Sequence, residues 1–261
     1  MRHLRTILFA TAMAATPAAA QALEAGPAFV TEYRISILGL PLGVSHFESR
    51  VDGDRFTVEG TVRSAGIARI FDKTVANSRV EGRMTDEGVQ PTSYALNYVS
   101  GKKKRAAELV FRNGNVVETR LSPKPRKNDR LVPVGPQHLT AVSDPLTASI
   151  VRAGSPEAVC ARTLHVFDGQ MRMDIALSAP QVGKVRLAGY SGPAVTCKAK
   201  FTPVAGYRKG KKSIEFLRTN NNISVTFARR GSTDVYAPVK ASVPTYIGTL
   251  TIAATRFGPA D

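Results

Sequence analysis

The chain has 261 residues, of which 43% are hydrophobic, and 36 lysine and arginine residues against 20 aspartate and glutamate residues give a formal net charge of +16. This length suits one large all-β domain or two small ones, and we expect one. The sequence has no P-loop, dinucleotide fingerprint or G-x-S-x-G nucleophile elbow, which excludes the classes that these motifs define. The excess positive charge indicates anionic partners and does not bear on the fold.

The amino terminus is typical of a secretory signal peptide. Two arginines precede an apolar run from Ile7 through Ala15, and small residues follow. This order predicts that residues 1–20 direct export to the periplasm and are then removed. Cleavage after Ala20 and cleavage after Ala22 fit equally well. The run is too short to cross a membrane as a helix, and we predict no transmembrane segment in the remaining chain.

The first strand pattern lies in residues 29–63, where two turns separate three strands. Glycine and proline at residues 39–43 mark the first turn, and Asp52-Gly53-Asp54 marks the second. In the third strand Phe56 and Val58 alternate with polar residues. A period of two predicts a strand with one buried face.

Residues 66–71 break the alternation and form either a short helical turn or a loop over the sheet edge. Strand patterns resume near Val75, and a charged tip at Gly101–Arg105 separates two of them. Asn113-Gly114 between strand patterns predicts a hairpin. Residues 122–134 are rich in proline and lysine, so we predict a loop there, and it marks the lobe boundary if the chain has two lobes.

One helix is predicted, over about residues 144–153. Ser143 or Asp144 can cap it, Pro145 suits its first position, and Arg152 followed by Gly154 suits its end. So short a helix is marginal alone. We expect it to cover the concave side of a sheet.

Past the helix the sequence returns to strand patterns. The predicted strands are Leu164–Phe167, Arg172–Leu177, Lys184–Tyr190, Val195–Pro203, Ser213–Leu217, Ile223–Phe227, Val235–Ser242 and Thr249–Phe257. Residues 220–222 and 230–232 are typical of hairpin turns. Many short strands with frequent turns predict a mainly β fold, with a single antiparallel, strongly curved sheet or a partial or closed barrel. We expect one β-rich domain over residues 21–261.

Cys160 and Cys197 are the two cysteines of the chain. In an exported protein two cysteines are most simply interpreted as one disulfide. A metal pair and a reactive thiol are the alternatives, but a metal site usually needs more ligands than the neighbouring His165 supplies.

The second half of the sequence resembles the domain-of-unknown-function 3108 family of exported bacterial proteins. The residues that support the resemblance are Asp144–Ala148, Cys160, Val166–Gly169 with Arg172, Ala188–Tyr190, Cys197, Phe201 with Pro203, Ala205 and Gly206, and the closing stretch Val243–Phe257. The resemblance implies an envelope location and a curved antiparallel sheet. It brings no catalytic assignment.

The polar residues between the cysteines are the candidate ligand site. Asp168 and Arg172 flank Gly169, and two interpretations of this pair remain open. The carboxylate caps a turn while Arg172 pairs across strands, or Asp168, Arg172, Asp174 and His165 line a ligand pocket beside the disulfide. The histidines lack metal-ligand spacing, so we predict neither a metal nor a cofactor.

Four basic clusters fall at predicted turns or loops: Lys102–Arg105, Lys124–Arg130, Arg208–Lys212 and Arg229–Arg230. If several gather at one rim of a barrel, they attract anionic headgroups. The expected partners are a lipid or an anionic envelope polymer, or an envelope protein. Nucleic acid is not expected outside the cytoplasm.

The sequence is compatible with three functions. The first is a non-enzymatic periplasmic protein that binds an apolar or anionic envelope ligand, such as a lipid or a lipopolysaccharide-like molecule, or supports envelope integrity. The alternative is an envelope-modifying enzyme, a hydrolase, with a dispersed site near Asp168. An integral outer-membrane barrel ranks third, because the sequence has no tryptophan and few aromatic residues for the girdles of such barrels.

Overall fold

The computed structural model describes residues 28–260, except residues 72, 87 and 126–128. Most of this chain is antiparallel strand. The strands are β1 (Phe29–Ile37), β2 (Leu40–Asp52), β3 (Arg55–Ser64), β4 (Thr74–Thr85), β5 (Gly88–Ser100), β6 (Lys103–Arg112), β7 (Asn115–Ser122), β8 (Val151–Arg152), β9 (Arg162–Phe167), β10 (Arg172–Leu187), β11 (Tyr190–Ala205), β12 (Ile223–Arg229), β13 (Val235–Thr245) and β14 (Gly248–Pro259).

The helices are all short. They are α1 (Ala68–Phe71), α2 (Pro145–Ala148), α3 (Pro156–Val159), α4 (Lys212–Thr219) and a 3-10 helix at Pro136–His138. No helix in the described part of the chain combines the length and apolar character that crossing a membrane requires.

All but one of the strands follow a single path through one sheet. The order is β7-β6-β5-β4-β3-β2-β1-β14-β13-β12-β11-β10-β9, and β8 pairs with β13. β1 pairs with β2 on one side and β14 on the other, so the first and last strands meet in the middle of the sheet. The prediction of a mainly β fold with a single curved antiparallel sheet is confirmed, and the sheet is not closed.

The segment Leu139–Ser143 lies between the two edge strands, β7 and β9. On the β7 side, Val116 N donates to Leu139 O at 2.9 Å and Val142 N donates to Gly114 O at 2.9 Å. On the β9 side, Ser143 N donates to His165 O and Phe167 N donates to Ser143 O, both at 2.9 Å. This segment therefore satisfies backbone groups of both edges and completes a barrel-like shape without a strand.

Buried apolar side chains of the described residues form three clusters, two of which are larger than the third. One of these two includes Phe56, Val80 and Leu109 from the first half of the sheet, and the other surrounds Val195 and Phe227 in the second half. Phe56 and Val58 are buried as their alternation predicts. The Asn113-Gly114 hairpin is also confirmed, because β6 ends at Arg112 and β7 begins at Asn115.

The helix predicted over residues 144–153 is shorter in the structure. α2 ends at Ala148, and β8 follows at once, pairing with Val235 and Tyr236 of β13. The backbone of Val151 and Arg152 pairs with β13 and therefore does not continue the helix. The sequence pattern could not show this pairing, because β13 lies more than 80 residues later.

The strand predicted at Ser213–Leu217 is wrong, because these residues belong to α4. Ile214 is buried and Leu217, one turn later, packs against the same core cluster. Arg218 donates to Glu215 at 2.7 Å, a pairing three residues apart that only a helix brings together. The predicted strands at Arg172–Leu177 and Lys184–Tyr190 are largely one long strand, β10, with a bulge near Ala179.

The disulfide prediction is confirmed. Cys160, at the carboxyl end of α3, bonds to Cys197 in the middle of β11, with Cα atoms 5.3 Å apart. Both cysteines are buried in the second core cluster. The disulfide thus attaches the connection before β9 to the centre of the sheet.

Two predictions concern residues that the structure does not test. The signal peptide at residues 1–20 lies outside the described residues. The lobe boundary in loop 122–134 includes residues 126–128, which are also outside them. The described end of this loop is attached to the second half of the chain, because Val132 N donates to Tyr207 O and Gly206 N donates to Val132 O, at 2.9 and 2.8 Å.

Candidate ligand-binding site

Three of the four polar residues predicted from the sequence meet where β9 pairs with β10. The register places His165 opposite Asp174. The Asp174 carboxylate accepts a 2.5 Å hydrogen bond from Arg172 Nη1 and lies 2.6 Å from His165 Nδ1. Arg172 Nη2 lies 3.0 Å from the same His165 nitrogen, which either donates to the carboxylate or accepts from the guanidinium.

Asp168 lies outside this cluster, in the turn between β9 and β10. Its Oδ1 accepts hydrogen bonds from the backbone nitrogens of Gln170 at 2.8 Å and Met171 at 2.7 Å, as in an Asx turn. Gly169 has a φ of +96°, and a Cβ there would lie 3.1 Å from the Ala107 side chain. Asp168 therefore shapes a turn that packs closely against β6.

The cluster of His165, Arg172 and Asp174 holds the β9–β10 hairpin together. Arg172 is buried and also donates to Met173 O at 2.6 Å. Burial pushes the pKa of the Asp174 carboxyl upward, but hydrogen bonds from His165 and Arg172 outweigh burial and leave the pKa below its ordinary value. Among the described residues, no group of three His, Cys, Asp or Glu side chains could hold a metal ion. A ligand role for the cluster stays a prediction.

A second candidate site, which the sequence did not reveal, is an apolar pocket of about 300 Å³ on the concave side of the sheet. β1, β2 and β3 form one wall, β13 and β14 form another, and α2 with the residues after it covers the opening between them. The lining residues are Phe29, Thr31, Tyr33, Ile35, Ser45, Phe47, Ser49, Val58, Val62, Pro145, Leu146, Ser149, Ile150, Arg230, Val235, Ala237, Pro238, Lys240, Ala241 and Ile252. The four polar residues predicted from the sequence are not among them.

The alternation of inward and outward side chains along β1 and β2 explains both why the pocket is apolar and why it is open. Every second residue of β1 from Phe29 to Ile35 lines the pocket. The aromatic rings of Phe29 and Tyr33 and the aliphatic side chain of Ile35 form the β1 part of its wall. Thr31 and Ser45 are also inward and buried, but they are small. Their hydroxyls make no hydrogen bond with any residue that the structure describes. Larger side chains at these two positions would reduce the volume of the pocket.

Asp144 fixes the cover of the pocket. Its Oδ1 accepts hydrogen bonds from Leu146 N at 2.9 Å and Thr147 N at 3.1 Å, which caps α2. The carboxyl is fully buried, and burial raises its pKa although these hydrogen bonds oppose the change. The cap orients Leu146 and Ile150 so that both line the pocket and pack against the first core cluster.

Arg230 brings a positive charge to one end of the pocket. Its guanidinium carbon lies 4.8 Å from the centre of the Phe29 ring, and its Nη2 donates to Ser49 O at 3.4 Å. The side chain is half-buried, and burial lowers its pKa. It makes no ion pair with any described residue. Because a half-buried cation without a counter-charge attracts anions, this end can bind a carboxylate or a phosphate.

The fold and the pocket define a barrel-like β protein with an apolar interior site. The chain belongs to the family described as "Protein of unknown function (DUF3108)", whose model matches residues 32–255. The resemblance noted in the sequence is thereby confirmed. No curated protein matches the chain.

A solved structure also resembles the chain. It is the crystal structure of a "Beta-barrel-like Protein of Domain of Unknown Function DUF1849 from Brucella abortus". The two sequences are 10% identical, the TM-score is 0.44, and the match covers 91% of this chain and 98% of that chain.

Proposed function

We propose that the protein is a non-enzymatic periplasmic protein that binds an anionic amphiphile, such as a fatty acid or a lipid with an acyl chain, in the interior pocket. The hydrocarbon chain lies among the apolar side chains of β1, β2 and α2. The anionic headgroup lies against Arg230. The periplasmic location is the one that the predicted signal peptide gives.

The observation that most supports this proposal is the combination of apolar walls with a half-buried cation at one end. A volume of about 300 Å³ is at the lower end of the range for small-molecule sites, roughly 300 to 1,000 Å³. Apolar walls bind hydrocarbon through the hydrophobic effect, which has no directional requirement. An uncompensated guanidinium adds selectivity for an anionic head.

Several features of the pocket walls fit a bound chain rather than a reaction. Tyr33 donates its hydroxyl hydrogen to Pro238 O at 2.5 Å, and burial raises the pKa of this phenol. Thr31 and Ser45 have no neighbouring histidine or carboxylate among the lining residues that could activate their hydroxyls. A hydrolase with a site near Asp168 stays the alternative, and a role in envelope integrity is compatible with lipid binding.

The proposal is tested by comparing a long-chain fatty acid with the uncharged alcohol of the same chain length. Each is titrated into the purified protein in competition with a fluorescent fatty acid. We expect the acid to bind more tightly than the alcohol, because Arg230 favours the anion. The Arg230→Gln variant should lose this preference and keep its affinity for the alcohol.

Arg55→Gln is the matched control, because Arg55 is an exposed arginine at the start of β3 and does not line the pocket. This variant should behave as the wild type with both compounds. If neither compound binds saturably, or if Arg230→Gln leaves the preference for the acid unchanged, the proposed ligand class is wrong.

A further inference from the structure

One rim of the barrel-like sheet combines exposed apolar tips with lysine-rich flanks. Because neighbouring strands are antiparallel, all the odd-numbered strands on the sheet path (β1, β3, β5, β7, β9, β11 and β13) run in the same direction, and the connections that follow them lie at the same end. We call this end the lysine-rich rim. Its middle and flanks are formed by residues 38–39, 65–71, 101–102, 206–222 and 246–247, and the connections that follow β7 and β9 also lie at this end.

The middle of the lysine-rich rim exposes large apolar side chains at three neighbouring connections. The exposed fractions are 70% for Leu38, 50% for Leu40, 80% for Ile70, 67% for Tyr246 and 60% for Ile247. Single exposed apolar residues are ordinary on protein surfaces, but a contiguous group marks an interaction site.

Backbone contacts show that these three connections touch. Leu38 N donates to Thr249 O at 3.3 Å, which joins the β1–β2 turn to the β13–β14 hairpin. A Cβ on Gly248 would lie 2.5 Å from the Leu38 side chain, so the two turns pack without space between them. On the other side, a Cβ on Gly66 would lie 2.6 Å from Pro41 O, which places the α1 connection against the start of β2. The apolar tips therefore form one continuous surface.

Basic residues lie on both sides of this apolar surface. Lys102–Arg105 follow β5 on one side, and Arg208–Lys212 follow β11 on the other, with their lysine and arginine side chains exposed. Neither group makes an ion pair with any residue that the structure describes. Arg69 and Lys73, next to the apolar tips, are exposed as well. The charge of the rim is therefore available to an external anion.

We propose that the lysine-rich rim binds the surface of an anionic lipid bilayer. The apolar tips enter the headgroup region, and the flanking lysines bind lipid phosphates. Charge complementarity selects this partner, because a bilayer presents many phosphates in one plane and the two basic groups are separated by the width of the apolar surface. A tyrosine among the tips suits this interface, since its ring is apolar and its hydroxyl is polar. The proposal does not depend on a ligand in the interior pocket.

The first experiment measures cosedimentation of the purified protein with phosphatidylcholine vesicles, with and without phosphatidylglycerol. We expect binding to the anionic vesicles and a loss of binding as salt is raised. Each lysine near an anionic surface contributes roughly five-fold to partitioning. Lys102→Gln with Lys103→Gln, or Lys209→Gln with Lys211→Gln, should therefore weaken binding by about 25-fold.

The matched control is Arg55→Gln with Arg112→Gln, which removes two exposed charges from the opposite end of the sheet. Its binding should equal that of the wild type. If the control weakens binding as much as the lysine pairs do, the attraction comes from net charge alone and the rim is not the binding surface. Ser45→Leu, which fills part of the interior pocket, should leave vesicle binding unchanged, so the two proposals can fail separately.

The second experiment uses the absence of tryptophan from the sequence. Tyr246→Trp introduces one fluorophore at the apolar tips, and Val182→Trp introduces one on β10, at a residue that is also exposed. Anionic vesicles should shift the emission of Tyr246→Trp to shorter wavelength and leave Val182→Trp unchanged. A shift in both variants, or in neither, overturns the proposal. A shift of Tyr246→Trp that follows protein concentration without vesicles would show self-association and also overturn it.

Discussion

Filling the interior pocket with one side chain should weaken amphiphile binding without harming the fold. Ser45 lies on β2, is buried and lines the pocket. Its hydroxyl makes no hydrogen bond with any described residue, so Ser45→Leu leaves no partner unsatisfied. The new side chain replaces one oxygen with three carbons and occupies the space of about three methylene groups of a bound chain.

The expected size follows from the burial of those methylene groups. Each buried methylene is worth about 0.8 kcal/mol, so losing three weakens binding by about 2.4 kcal/mol, or roughly fifty-fold. The melting temperature should stay the same or rise, because a leucine fills an apolar cavity. Ser191→Leu on β11, where the serine is exposed, is the matched control and should bind as the wild type does.

The assay is competitive titration of a fatty acid against a fluorescent analogue, with thermal unfolding measured on the same preparations. If Ser45→Leu melts like the wild type and binds with wild-type affinity, the chain of the ligand does not lie in this pocket. A large drop in melting temperature would instead show that the pocket walls do not tolerate a larger side chain, which contradicts the space assigned to it.

Three further predictions concern stability. The Leu109 side chain is 1% exposed, and Leu109→Ala should lower the free energy of unfolding, measured in urea, by about 2 to 5 kcal/mol. Val110→Ala, on the outward face of the same strand, should lower it by less than about 1 kcal/mol. Equal losses in the two variants would contradict the assigned core. The pKa of Asp144 is raised in the folded state, so the stability that this carboxyl contributes is present below its unfolded pKa of about 4 and is lost as pH rises through the folded value. The melting temperature of Asp144→Asn should therefore rise relative to that of the wild type as pH rises. A difference in melting temperature that stays constant with pH would refute this prediction. The pKa of Asp174 is lowered in the folded state, so the stability that its carboxylate contributes is present above about pH 4 and is lost as pH falls through the folded value. Asp174→Asn should therefore melt at a lower temperature than the wild type at neutral pH. Melting temperatures that still differ at low pH would argue against a stabilising role for the cluster.

The strand pattern and the disulfide could be predicted from the sequence because both depend on local or unambiguous signals. Alternation in β3 and the Asn113-Gly114 turn act over a few residues, and two cysteines allow one pairing. The carboxyl end of α2 could not be predicted, because it depends on pairing between β8 and distant β13. The same holds for α4, where a buried Ile214 and the core beside it favour a helix over the predicted strand.

The candidate site was predictable only in part. Asp174 and Arg172 alternate on one strand, so their proximity could be expected, and the opposite position of His165 followed from the hairpin. The interior pocket could not be predicted, because β1 and β13 are distant in sequence and are not adjacent in the sheet, and only the folded chain brings their side chains together. The alternation of Phe29, Tyr33 and Ile35 was a usable signal for an inward face. No signal in the sequence distinguished Arg230, in a hairpin turn, from the other basic turn residues.

The most direct test of the central claim is photo-crosslinking with a fatty acid that has a diazirine in its chain, followed by peptide mass spectrometry. We expect the label to attach to peptides that contain Phe47, Leu146 or Ile150. Unlabelled fatty acid should compete the label away, and Ser45→Leu should reduce it. Labelling confined to peptides of the lysine-rich rim, or labelling of the pocket peptides that unlabelled fatty acid does not reduce, would contradict the claim that the interior pocket binds the chain.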